Sequence, residues 1–94
     1  MEIKQNNNEK NGFFEAYIDQ GLAGRMSYTW AGSDKFIIDS TQVMEGFNGK
    51  GVGKELLAAT VVYARENNFK IMPLCPFAKA GFDKNPDYND VLLK

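Results

Sequence analysis

No histidine occurs among the 94 residues. That absence excludes a histidine general base, a histidine metal ligand and a serine–histidine triad. There is a single cysteine, Cys75, so no internal disulfide can form, and a zinc site built from one thiol and scattered carboxylates is not expected. No apolar run approaches the roughly 20 residues needed to span a bilayer. Met1 to Asn11 is polar and lacks the apolar stretch of a signal peptide. These readings lead to the expectation of a soluble, cytoplasmic protein with no metal and no membrane partner. An excess of one charge is also missing: eleven basic residues face twelve acidic ones. Phosphate neutralisation drives nucleic-acid binding, and this chain has no basic surplus to supply it. Lys50, Lys54, Lys70 and Lys79 have no aromatic stacking platform interleaved with them, so no nucleic-acid partner is expected.

What is present is an ordinary globular composition, 44% hydrophobic and 24% charged, in a length that suits one domain over residues 1–94. Glu2–Gln5 reads as a short edge strand and 6–12 as a loop. Phe13–Asp19, Leu22–Trp30 and Lys35–Met44 read as strands joined by short turns, which makes an antiparallel meander the simplest arrangement. Strict period 2 in the third of these puts Ile38, Ser40 and Gln42 on one face. It puts Ile37, Asp39, Thr41 and Val43 on the other. From Lys54 to Asn68 the pattern becomes helical, with Leu57, Val61 and Ala64 in one stripe and Leu56, Thr60 and Tyr63 beside it. Phe69–Leu74 is a short apolar strand expected to return parallel to Lys35–Met44. Pro76 opens a second helix, because proline suits the first helical position, and Asn85-Pro86 closes it. The fold class is therefore mixed α/β (α+β): an antiparallel meander followed by β-α-β-α.

Gly46 to Gly53 holds four glycines in eight residues. An ordinary strand-to-helix turn asks for one glycine with positive φ; several, flanked by Lys50 and Lys54, suggest a phosphate cradle at a helix N-terminus. The nucleotide P-loop pattern fails, because Asn48 stands where its first glycine belongs and Glu55 where its Ser or Thr belongs. The dinucleotide fingerprint fails at its third glycine, which falls on Lys54, and its parallel βαβ setting is absent.

The run Asn48-Gly49-Lys50-Gly51-Val52-Gly53 resembles the pyrophosphate loop of the GCN5-related N-acetyltransferases, [QR]-x-x-G-x-[GA]. Asn48 takes the Gln/Arg place, Gly51 the first glycine and Gly53 the Gly/Ala place. Further segments, Gly49 to Leu57, Ala64 to Asn67 and Cys75-Pro76-Phe77-Ala78-Lys79, are similar to a small single-domain branch of that superfamily. The resemblance runs from about Phe13 to Leu93. It implies a truncated acetyltransferase core with a central, partly splayed sheet, and acetyl-CoA as cosubstrate. It also implies an amine acceptor, small molecule or protein. By the same resemblance Val43 and Met44 face the pantetheine arm, and Asn48, Gly49, Lys50, Gly51, Val52, Gly53 and Lys54 hold the pyrophosphate. The thioester then lies near Cys75, and Phe77 and Lys79 complete the expected cofactor-binding residues.

Cys75 precedes Pro76 and so is the expected N-cap of the second helix, where the helix end favours a thiolate. It is a candidate nucleophile or acid, against the plainer role of a small buried hydrophobe. Members of this branch carry His-Thr where this chain has Ser40-Thr41. Asp39, Glu45 or a water chain would have to replace the missing base. Tyr17, Tyr28, Trp30 and Tyr63 could line an acceptor slot, but their spacing favours packing within the sheet. Two alternatives to an amine acetyltransferase stay open: a non-catalytic CoA-binding module, and a protein that acetylates its own cysteine.

Overall fold

A computed structural model describes residues 1–93. Five strands, β1 (Glu2–Asn7), β2 (Asn11–Ile18), β3 (Gly21–Trp30), β4 (Lys35–Val43) and β5 (Lys70–Pro73), form one sheet in sequence order. The first four pair antiparallel; β4 and β5 pair parallel. Helix α1 (Val52–Asn67) makes the crossover between β4 and β5, and α2 (Pro76–Lys84) follows β5.

Strand β1 is longer than its composition suggests. Asn6 and Asn7 pair with Phe13 and Gly12, and the loop shrinks to three residues. The Asn7 Oδ1 accepts hydrogen bonds from the Tyr28 hydroxyl and the Trp30 indole N–H, each at 3.0 Å. Asn8 Oδ1 closes the turn by accepting the amides of Lys10 and Asn11. Asparagines that read as loop are thus used as strand ends and as an Asx turn.

Both helices pack on one face of the sheet. That face supplies Phe14, Ala16, Met26, Tyr28, Phe36, Ile38 and Ile71, and α1 supplies Leu56, Leu57, Val61 and Ala64, all buried. Tyr28 stacks on Phe36 at 4.7 Å between ring centroids. The Thr60 hydroxyl, fully buried, donates to the Leu56 carbonyl, an i−4 bond that lets a polar side chain face the core. Asn68, in the left-handed conformation at φ 60°, closes α1 as its sequence indicated. After α2, Val91 is buried and Leu92 bridges to Ile71, so the tail packs back on β5.

Two departures from regular geometry place the functional region. The first is a bulge in β4. Ser27 pairs with Ser40 and Tyr28 with Ile38, leaving Asp39 without a partner. Strict alternation therefore fails beyond Ile38. Thr41 and Val43 pair with Met26 and Gly24 and join the inner face, while Ser40 and Gln42 are exposed. The second is Gly24. A Cβ there would lie 2.6 Å from Val52 Cγ1 and 2.8 Å from the Gln42 carbonyl oxygen. Its absence lets the first residue of α1 seat directly on the sheet.

The opposite face has a different character. Arg25 bonds the Glu15 carboxylate through its Nε at 3.1 Å and lies 4.5 Å over the Phe13 ring, while Tyr17 donates to the same carboxylate. The guanidinium holds the Glu15 carboxyl below its ordinary value, and the carboxylate raises the Tyr17 hydroxyl.

Two outcomes are expected. Gly24→Ala should lose about 1–3 kcal/mol in urea denaturation, because the new methyl meets backbone on one side and Val52 on the other. A lowered folded pKa gives stability that is present above the unfolded carboxylate value, near 4.5, and is lost as pH falls through the folded one. Glu15→Gln should accordingly flatten the acid limb of the stability profile below about pH 5.

Candidate functional site

Turn 44–51 leads from β4 into α1. Its glycines do the conformational work: Gly46, Gly49 and Gly51 have φ of 90°, 79° and 75°. Nothing lies within 4 Å of the position a Cβ would take at any of the three. Their positive φ sets the turn, and no packing demand is visible at these places. Gly53 differs; a Cβ there would lie 2.5 Å from the Phe77 ring. It permits α1 and α2 to approach at their N-terminal ends.

Gly51 is the N-cap of α1, and no side chain caps it. The amides of Val52, Gly53 and Lys54 therefore point out of the helix end with no acceptor inside the helix. With the macrodipole of a 16-residue helix, they form an anion-binding end. A cleft of about 210 Å³ opens on them, lined by Val43, Phe47, Asn48, Gly49, Gly51, Val52, Gly53, Lys54 and Phe77. A second cleft, about 480 Å³, shares Lys54 and Phe77 and continues between the helices past Ala80, Gly81, Lys84 and Asn85.

The structure thus gathers eight of the twelve candidate cofactor residues: Val43, Asn48, Gly49, Gly51, Val52, Gly53, Lys54 and Phe77. Four stand elsewhere. Lys50 projects into solvent at the apex of the turn and Lys79 lies exposed on α2. Met44 donates its amide to the Ala23 carbonyl, tying the end of β4 to β3. Cys75 is buried. Phe47 lines the cleft and escaped the sequence reading, since an aromatic between glycines matches no position of the motif.

Cys75 marks the place where β4 and β5 part. The strands pair from Lys35 with Lys70 to Ile38 with Pro73. Then the amides of Leu74 and Cys75 both bond the Ile38 carbonyl, at 3.1 and 3.2 Å, and pairing ends. Beyond this point Ser40–Val43 remains paired to β3 but, among the described residues, has no strand partner on its β5 side. The Cys75 sulfur caps α2, accepting the Ala78 amide at 3.3 Å. It also lies 3.2 Å from the Thr41 hydroxyl, within hydrogen-bond reach. The bulge at Asp39 makes that contact possible, because it turns Thr41 inward.

The aromatic candidates pack with the sheet. Tyr28 is buried beneath Gln5 and Asn7, and its burial raises the hydroxyl's pKa. Trp30 and Tyr63 line a separate cleft of about 500 Å³ at the far end of the sheet, with Asn7, Glu9 and Phe69; it shares no residue with the glycine turn. Among the described residues no three metal-ligating side chains converge, and no helix is long and apolar enough to cross a membrane.

The parallel edge pair splits beside a glycine-built helix N-terminus, which is the partly splayed sheet that the family resemblance implies. Residues 13–91 match the sequence profile of the GCN5-related N-acetyl-transferase family, and the chain belongs to that family. It is 39% identical to a GCN5-like protein from Staphylococcus aureus whose solution structure superposes with a TM-score of 0.75, covering 98% of this chain and 87% of that one. A ribosomal-protein-alanine N-acetyltransferase from Brucella melitensis shares the fold at 19% identity and a TM-score of 0.66; 93% of this chain spans 64% of that one. An aminoglycoside N-acetyltransferase solved with CoA aligns at 15% identity and a TM-score of 0.61, over 93% and 89% of the two chains. A search of curated proteins found no match.

The double role of Cys75 as cap and packed thiol yields a prediction. Cys75→Ser keeps a cap acceptor and the Thr41 partner, and should stay within about 1 kcal/mol of the parent in urea denaturation. Cys75→Val keeps bulk but strips the cap, and should lose about 1–2 kcal/mol.

Proposed function

We propose that this protein binds acetyl-CoA at the 48–54 turn and transfers the acetyl group to an amine. The observation that carries the reading is the uncapped start of α1. Three amides converge there behind two open glycines of positive φ, with Lys54 beside them. That set suits a diphosphate, whose oxygens take backbone N–H groups and whose charge favours the helix end and a lysine. The cleft between α1 and α2, with Lys54 and Lys84 on its wall, suits the remaining phosphorylated nucleoside end. Lys50 and Lys79, both exposed, can add charge at the rim.

From the diphosphate, the pantetheine arm runs toward the split. Val43 lines the cleft, and the edge of Ser40–Val43 that faces away from β3 offers backbone groups to the amides of the arm, as an added strand would. Met44 fixes the end of that edge through its bond to Ala23. The thioester then reaches the point of divergence, where Cys75 and Thr41 meet. The attacking amine must be neutral. Its nitrogen bonds to the carbonyl carbon and gives up one proton, the carbon–sulfur bond breaks, and the departing CoA thiolate takes up a proton in exchange. Solved neighbours include an acetyltransferase complexed with CoA and another with the aminoglycoside sisomicin, which makes an amine the natural acceptor class. A reducing cytoplasm fits the lone buried thiol.

A second reading rests on one contact. The Cys75 sulfur holds two hydrogen-bonding neighbours at the divergence, the Thr41 hydroxyl and the Ala78 amide. A cysteine thiolate there could take the acetyl group itself, forming a protein thioester as CoA thiolate leaves.

Calorimetric titration should show acetyl-CoA binding to the parent. Gly51→Val places a β-branched residue at φ 75° and should weaken it at least tenfold with helix content retained by circular dichroism. Absence of heat with both CoA and acetyl-CoA would sink the proposal. Intact mass after acetyl-CoA treatment separates the second reading: one added acetyl group in the parent and none in Cys75→Ser.

A further inference from the structure

Trp30 and Tyr63 take no part in the acetyl-transfer reading, yet both line the cleft of about 500 Å³ at the far end of the sheet. Small-molecule sites run from roughly 300 to 1,000 Å³. The turns after β1 and β3 wall the cleft with Glu9 and Ser33, and α1 and the approach to β5 wall it with Tyr63 and Phe69. Its three rings are half-buried and inclined to one another. Trp30 meets Phe69 edge to face at 5.0 Å, and Phe69 meets Tyr63 at 5.5 Å and 58°. Trp30 is held on both sides: its indole N–H donates to Asn7 Oδ1 and its backbone amide to the Lys10 carbonyl, each at 3.0 Å. The polar wall is already engaged. The side-chain oxygens of Asn7 and Asn8 each accept two hydrogen bonds from the protein. Glu9 is the only charged residue lining the cleft among the described residues, and it makes no ion pair among them. Lys35 reaches Gly32 at the rim, but it pairs with Asp34 at 3.7 Å.

We propose that this cleft is a second binding site, for a small quaternary ammonium compound. A quaternary nitrogen has no N–H to donate, and its charge is spread over the surrounding methyl groups. It calls for aromatic surface and an anion, and Trp30, Tyr63, Phe69 and Glu9 supply both. A primary ammonium carries three donors and a sugar carries several hydroxyls; the asparagine oxygens that could receive them are taken. An anionic ligand would meet Glu9 with no lysine or arginine on the wall to offset it. The quaternary nitrogen also has no lone pair, so it cannot accept an acetyl group. The site shares no residue with the glycine turn or with the cleft between the helices, and it stands independently of the acetyl-transfer reading.

Trp30 is the only tryptophan of the chain, so its fluorescence reports on this cleft. Choline, ethanolamine and 3,3-dimethyl-1-butanol share a hydroxyethyl tail and differ at the head: a quaternary cation, a primary cation and a neutral isostere. They are titrated into the full chain at constant ionic strength without acetyl-CoA. Choline should change Trp30 fluorescence saturably and shift the Trp30 indole N–H signal in nitrogen-15 spectra. Ethanolamine and the neutral alcohol should each bind about threefold more weakly or worse. Glu9→Gln, a change on an exposed turn, should weaken choline about threefold or more. Tyr63→Leu should weaken it likewise and Tyr63→Phe should not, which separates the ring from its hydroxyl. No saturable response, equal binding of the neutral alcohol, or choline binding unchanged in Glu9→Gln would each overturn the proposal. Added acetyl-CoA should leave the choline titration unchanged. Displacement of choline by acetyl-CoA would overturn the assignment of a second site.

Discussion

One extra residue in β4 organises the functional half of this protein. Asp39 has no partner across β3, and the ladder resumes one residue out of step. Three features meet at that single irregularity. The bulge coincides with the end of pairing to β5, which stops at Ile38 as β5 gives way to the start of α2. Thr41 and Val43 rotate to the helix-covered side, bringing the Thr41 hydroxyl to the Cys75 sulfur and Val43 to the cleft beside the glycine turn. Asp39 itself is left on the outer face, where it accepts the Thr29 hydroxyl. Without the bulge, strict alternation would put Ser40 and Gln42 on the core side.

The second constraint is the distance between α1 and the sheet. Gly24 lets Val52 sit against β3, and Gly53 lets the Phe77 ring cover the helix start. Together they fix the helix end whose free amides face the cleft. The glycines of the turn proper act differently: their surroundings are open, and conformation alone accounts for them. Glycine thus serves two physical purposes within thirty residues, close approach at Gly24 and Gly53 and positive φ at Gly46, Gly49 and Gly51.

Much of the architecture was legible in advance. Residues 13–16 and 24–30 alternate, with a register shift at Ala16/Tyr17 between them, the α1 stripe is regular, and Pro76 and Asn68 mark helix ends by rules that hold locally. The anion-binding turn was legible for the same reason, since its spacing and composition are local facts. Three features were not. The Asn6–Asn7 pairing hid behind a loop-like composition, because the bonds that use those side chains come from Tyr28 and Trp30, more than twenty residues away. The bulge left no mark in the sequence, because Asp39-Ser40 alternates as well as any other pair until its partners are known. Phe47 fits no motif and joins the cleft only because the turn folds over it.

The sequence by itself determined the order of elements, the glycine-built helix start and the lack of any histidine base, since these depend on neighbours within a few positions or on composition. Tertiary structure decided which side of β4 each residue faces, where β4 and β5 separate, and that Cys75, Thr41 and Asp39 share one locality. Those outcomes depend on register between strands, and register is set by the summed packing of a whole face rather than by any local run of residues.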